Sequence, residues 1–115
     1  MTDDVIYRFA DPAVLGAAAL SGSYEGEAHD QADGFIHCSA RHQLEGTLAA
    51  HFEGVERVAL AVIDAKALGG SLKWEKSRGG ELFPHIYGAL PFAAIMSVHI
   101  LRRDDTGGWR LPEEL

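Results

Sequence analysis

Gly34-Phe35-Ile36-His37-Cys38-Ser39 sets a histidine inside a short apolar run. Asp33-Gly34 supplies a turn, residues 35–38 read as a strand, and Ser39 falls where that strand gives way to a helix. Side chains alternate along a strand, so His37 and Ser39 share one face with Phe35 ahead of them, and Ile36 and Cys38 point the other way. Phe83-Pro84-His85-Ile86-Tyr87-Gly88 repeats this geometry, with His85 and Tyr87 on one face and Ile86 on the other. Pro84 fixes the approach of that strand and removes one backbone donor. Two such strands make one cleft lined by two imidazoles and two hydroxyls.

Outward from these strands the pattern is α+β. Residues 5–10 alternate and are rich in β-formers, and Asp11-Pro12 then caps a helix whose apolar stripe is Val14, Leu15, Ala18 and Ala19, ending near Ser21-Gly22. Residues 24–33 are acidic and irregular and read as a loop beside the cleft. Ser39 caps an expected helix over residues 40–52 with Leu44, Leu48 and Phe52 on one face. The unbroken apolar run 58–63 is the pattern of a central strand buried on both faces. Asp64 caps a short turn, residues 72–75 form a further strand, and residues 76–82 make a glycine-rich loop. Residues 92–101 read as a long strand crossing the core, and the tail adds a hairpin through Gly107-Gly108. The expectation is a single domain over residues 1–115, with its core at about residues 5–103 and a tail at residues 104–115.

Composition narrows the function classes. A chain of 115 residues, 47% hydrophobic and 23% charged, can bury a core without metal or disulfide support. A net charge of -7 argues against broad phosphate neutralisation on nucleic acid, although it leaves room for a local arginine pocket. One cysteine, Cys38, excludes an internal disulfide and a Cys-x-x-Cys metal site and fits a reducing, cytoplasmic setting. The start Met1-Thr2-Asp3-Asp4 is acidic and no apolar run approaches the ~20 residues of a membrane span, so neither secretion nor membrane insertion is expected.

An imidazole in an apolar strand needs a partner. His37 and His85 are therefore either core histidines bonded to backbone carbonyls or groups that bind or protonate ligand oxygens. On the second reading His37, His85 and Tyr87 are the candidate catalytic residues, and Ser39, Trp74, Glu75, Arg8 and Glu81 the candidate binding residues. Trp74 and Glu75 are adjacent on a strand, so only one of them can line the cleft. Arg8 alternates with Tyr7 and Phe9, and points either to solvent or into the site as an anion-binding guanidinium. Glu81 reads as a loop carboxylate after Gly79-Gly80, and Cys38 as a small buried apolar residue turned away from His37. His42 and His51 lack the spacing that sets two ligands on one helix face, so no metal centre is expected; His37, His85 and Glu75 are the set that would build one.

Taken in order, the two histidine motifs and Trp74-Glu75 between them resemble the signature of the domain-of-unknown-function family 952, over about residues 6–101. That family resembles, more remotely, the ADP-ribosyltransferase fold. The resemblance implies a split pair of small antiparallel sheets, two main helices packed alongside, and an NAD cleft between, in a small bacterial-type domain. It also implies that His37 holds a ribose hydroxyl of NAD, that Ser39 meets the nicotinamide amide and that Trp74 stacks on the ligand. Cys38 stands where the transferases carry glycine, and His85 and Tyr87 stand on the strand that carries their catalytic glutamate, with Glu81 just ahead. The expected partner is a small-molecule nucleotide, and the sequence leaves open whether the protein is an enzyme. Two alternatives stand beside the transferase: a phosphoesterase with paired histidines acting on a 2',3'-cyclic phosphate, and a non-catalytic module that binds a metabolite or a protein.

Overall fold

The computed structural model describes residues 4–113 and residue 115; residues 1–3 and Glu114, parts of the acidic ends, lie outside the described residues. Strand β1 (Val5–Ala10) is followed directly by helix α1 (Pro12–Ser21). Asp11 caps the helix by accepting from the Ala13 and Val14 amides, and Leu15 and Ala18 are its buried residues. Val14, expected on the buried stripe, is exposed.

Residues 24–33 do not form the expected loop. The segment holds a two-residue strand, β2 (Ser23–Tyr24), and a short helix, α2 (Ala28–Asp33), which Gly34 ends in the left-handed conformation. The helix is fixed by Asp30, a carboxylate only 1% exposed, whose burial depends on a cation that comes from β1.

Strand β3 (Ile36–His37) is short, and the helix after it begins later than expected. A 3-10 turn spans Arg41–Gln43, and α3 (Leu44–His51) starts beyond it. Ser39 does not cap this helix. Its backbone pairs with Tyr7, N to O at 2.9 and 2.8 Å, and its hydroxyl bonds to Thr47 Oγ1.

Strand β4 (Arg57–Asp64) is the centre of a three-stranded antiparallel sheet, with β1 on one side and β8 (Ile95–Arg102) on the other. The run read as a strand buried on both faces is so buried from Val58 to Ala61. Asp64 caps the 3-10 segment Ala65–Ser71, which leads into β5 (Leu72–Lys76); β6 (Leu82–Ile86) then pairs with both β5 and β3 in a second antiparallel sheet. β7 (Leu90–Pro91) pairs with β2. Residues 92–94 form a 3-10 turn instead of strand, and β8 is an edge strand that does not cross the core: Met96, Val98 and Ile100 are exposed on it. The tail folds back just beyond the end of β8 through the bridge Arg103 to Trp109.

Two apolar clusters lie on the two faces of the first sheet. Ile6, Ala59 and Ile63 pack with α1 and with Ile36, Cys38 and Ile86 of the second sheet. Tyr7, Phe9 and Leu60 pack with Leu44 and Leu48 of α3. The chain is thus α+β, with antiparallel sheets and few helices.

Candidate functional site

The two sheets meet across a single peptide. The Cys38 amide bonds to the Pro84 carbonyl at 3.0 Å and so belongs to the second sheet, while the next residue, Ser39, pairs with Tyr7 of the first. Alternation then sends Cys38 into the core and leaves His37 and Ser39 along a cleft at the seam. The cleft, about 690 Å³, is lined by residues that include His37, Ser39, His51, Arg78, Phe83 and His85.

Asp30 anchors one wall. Its Oδ1 accepts from Arg8 Nη1 at 2.7 Å, from the His37 amide at 2.9 Å and from His37 Nδ1 at 2.7 Å. Its Oδ2 accepts from Arg8 Nη2 at 2.6 Å and from the Glu27 amide at 2.7 Å. Burial alone would raise this carboxyl, but the bonds from His37 and Arg8 outweigh burial and hold it far below the usual carboxylate range. Burial likewise works against the Arg8 charge and is outweighed by Asp30. Ala61, opposite Arg8 in the ladder, leaves room for the guanidinium, which also lies 5.5 Å from the Tyr24 ring centroid. Arg8 lines the cleft but is committed to Asp30 and to the His37 carbonyl, at 2.8 Å, and its Nε is buried without a hydrogen-bond partner among the described residues.

His37 sits between two carboxylates, with Nδ1 on Asp30 and Nε2 on Asp33 Oδ2 at 2.8 Å. A carboxylate can only accept, so two such bonds call for both ring N–H groups, the imidazolium. The Asp30 bond raises the His37 pKa against the opposing effect of burial, and Asp33 adds to it. His85, directly across the ladder from His37, has its ring centroid 5.7 Å away. Its Nδ1 donates to Glu75 Oε1 at 2.8 Å, which turns Nε2 away from that carboxylate. Tyr87 donates to the same Glu75 oxygen at 2.8 Å. The bonds from His85 and then Tyr87 hold the Glu75 carboxyl below its ordinary value, and the bond to Glu75 raises the Tyr87 phenol. Phe35 stacks on His85, centroids 4.0 Å apart, and also meets His37 and Tyr87.

Of the residues singled out in the sequence, the cleft lining brings together His37, Ser39, His85 and Arg8; Glu75, bonded to His85, and Tyr87, bonded to Glu75, stand behind His85 and are not part of that lining. Trp74 packs against the core cluster on the face opposite Glu75 and is not part of the cleft lining. Glu81 bonds to His42 at 2.9 Å on the exposed surface, outside the cleft lining. Cys38 is buried, and burial pushes its thiol up to about 12. Asp30, Asp33, Thr47 and Arg78 were not singled out beforehand. The sequence signal for Asp30 is faint, a carboxylate three residues after Glu27 at the start of a short helix.

Among the described residues, one group sets three metal-type ligand atoms within 4.8 Å of one another: His29, Asp30 and His37. Five N–H donors already occupy the Asp30 carboxylate, two of them from Arg8. A metal ion there would have to displace a buried guanidinium, so the donor set does not fit one.

A family model described as "Protein of unknown function (DUF952)" matches residues 10–98. The X-ray crystal structure of protein CC0527 from Caulobacter crescentus is 41% identical over 93% of this chain and 94% of that one, with a TM-score of 0.87. The solution NMR structure of CC0527 is likewise 41% identical, over 100% of this chain and 97% of that one, with a TM-score of 0.84. None of the curated proteins matches the chain.

Proposed function

We propose, for a chain that belongs to the DUF952 family of proteins of unknown function, that the seam cleft binds a nucleotide, with NAD or ADP-ribose first among the candidates. The observation that carries this reading is the facing pair His37 and His85, each fixed by carboxylates at one cleft that also holds the buried Ser39. Imidazoles oriented in this way, beside hydroxyls and aromatic rings, suit a ribose and its attached groups. Two antiparallel sheets meeting at a seam, with helices alongside, support an ADP-ribosyltransferase type of fold.

In that reading a ligand oxygen takes the place of Asp33 on His37 Nε2. Glu75 supplies the negative charge that β6 itself lacks. Its carboxylate is already oriented by His85 and Tyr87, the arrangement needed to steady a developing positive charge at a sugar carbon. The phosphoesterase alternative draws on the same histidine pair, with the His37 imidazolium as general acid.

The test is a thermal-shift comparison of wild type and His37→Gln with NAD, ADP-ribose, nicotinamide and a 2',3'-cyclic nucleotide. At about 100 times the dissociation constant a ligand adds roughly 2.7 kcal/mol to native stability, which raises the melting temperature measurably. A shift with NAD or ADP-ribose that the variant loses is the expected result. A shift with the cyclic nucleotide alone transfers the cleft to the phosphoesterase reading, and no shift with any nucleotide overturns the proposal in favour of a different ligand class.

A further inference from the structure

Arg78 is held at the cleft with no carboxylate in ion-pairing distance among the described residues. It stands in the 3-10 turn Arg78–Gly80 between β5 and β6, where its guanidinium lies 4.8 Å from the centroid of Phe83. Nη2 donates to Thr47 Oγ1 at 3.3 Å, and Thr47 Oγ1 shares a 2.9 Å hydrogen bond with the buried Ser39 hydroxyl. Gly46 makes this approach available: a Cβ there would lie 3.1 Å from Arg78 Nη2. Sequence-distant groups thus seat one long side chain: Gly46 and Thr47 of α3 below it, and the Phe83 ring of β6 beside it.

Two other arginines, Arg8 and Arg103, are committed elsewhere. Arg8 is bound to Asp30, and Arg103 donates to the carbonyls of Phe52, Val55 and Gly107. Glu81, three residues beyond Arg78, feels its charge but places its own carboxylate on His42. His51, on the same cleft, is held below its ordinary pKa by burial and next by Arg78.

We propose that Arg78, with the hydroxyls of Thr47 and Ser39, forms a phosphate-holding subsite, so that the ligand of the cleft is a phosphorylated one with its phosphate at this end and its sugar towards His37 and His85. A guanidinium offers a planar fork of N–H donors that matches two phosphate oxygens at once, which a lysine at this place would not. One of the two hydroxyl hydrogens is spent in the Ser39–Thr47 bond, so the pair offers one further donor to a phosphate oxygen. The orientation of the ligand rests on the nucleotide reading of the cleft, whereas the phosphate subsite itself can be tested alone.

The experiment is isothermal titration calorimetry at fixed ionic strength with inorganic pyrophosphate, ADP-ribose, adenosine and succinate. It compares wild type with Arg78→Ala, Arg78→Lys and, as a control at a remote exposed cation, Lys66→Ala. Melting temperatures of the variants confirm folding, since Arg78 is exposed on a turn. Wild type is expected to bind pyrophosphate, Arg78→Ala to weaken pyrophosphate and ADP-ribose by about tenfold or more, and Arg78→Lys to fall between. Adenosine binding stays unchanged in Arg78→Ala, and Lys66→Ala behaves as wild type throughout. No pyrophosphate binding by wild type, or equal binding by Arg78→Ala, overturns the subsite, and succinate binding as tightly as pyrophosphate overturns its assignment to phosphate. ADP-ribose binding that is indifferent to Arg78 removes the subsite and leaves the nucleotide cleft standing. Arg78-dependent pyrophosphate binding without any nucleotide binding does the reverse.

Discussion

At the residue scale the site rests on one carboxylate with five donors. Asp30→Asn removes the charge that compensates Arg8 and turns an acceptor towards a guanidinium into a donor, while Arg8 stays buried at 3% exposure. A loss of about 3–5 kcal/mol in urea unfolding is expected, the scale for breaking a buried ion pair from one side. His37 gives a second, pH-dependent prediction. Its folded-state pKa lies above the unfolded value of about 6.5, so its contribution is complete below that pH and is lost as pH rises through the folded value. Stability measured from pH 6 upward should fall in wild type, by ~1.4 kcal/mol per pH unit at most for one proton, and His37→Gln should flatten that stretch. A wild-type slope that survives the substitution would assign the titration to another group. The histidines were legible because an imidazole in an apolar strand is conspicuous and alternation tells which neighbours share its face. Asp30 and Arg78 were not, because their meaning comes from Arg8, 22 positions away, and from Thr47, 31 positions away.

At the scale of elements, the sequence was most informative where local chemistry alone decides the structure. β1, the Asp11-Pro12 start of α1 and the apolar run of β4 follow from capping and periodicity, and all three form. It failed where a partner from elsewhere decides. α2 is polar enough to read as loop until Arg8 is brought to Asp30, and Ser39 looks like a cap until its backbone is taken by Tyr7. β8 carries as many apolar residues as a buried strand, yet Met96, Val98 and Ile100 on it are exposed, unlike the residues of β1 at the opposite edge of the same sheet. Two substitutions separate these environments. Ala61→Leu on β4 forces a larger side chain against the ladder position of Arg8 and should cost about 1–3 kcal/mol in urea unfolding. Val98→Thr, on the exposed face of β8, should stay within about 0.5 kcal/mol of wild type. Equal costs at the two positions would mean that the edge face is covered in solution.

At the scale of the whole molecule, the question is whether the two sheets stand or fall together. Ile36, Cys38 and Ile86 of the second sheet share one apolar cluster with Ile6, Ala59 and Ile63 of the first, and the seam adds the Tyr7–Ser39 backbone pair. Separating the sheets would expose that shared cluster and break the Arg8–Asp30 pair that ties β1 to α2, so neither sheet retains its own core when the other opens. The chain carries two tryptophans, and they report on different places. Trp74 lies on β5 against the shared cluster, while Trp109 packs into the α3 side of the first sheet, with Arg103 4.8 Å from its ring centroid. Trp74→Phe and Trp109→Phe therefore leave one fluorescent probe on each side of the molecule. The expected outcome is one cooperative unit: urea transitions followed by either remaining tryptophan should coincide with each other and with far-UV circular dichroism, after allowance for the small stability change of each variant. An earlier transition at Trp109 alone would show the tail and α3 loosening before the seam opens. An earlier transition at Trp74 would mean that the second sheet unfolds on its own, and the cleft would then be lost while the first sheet persists.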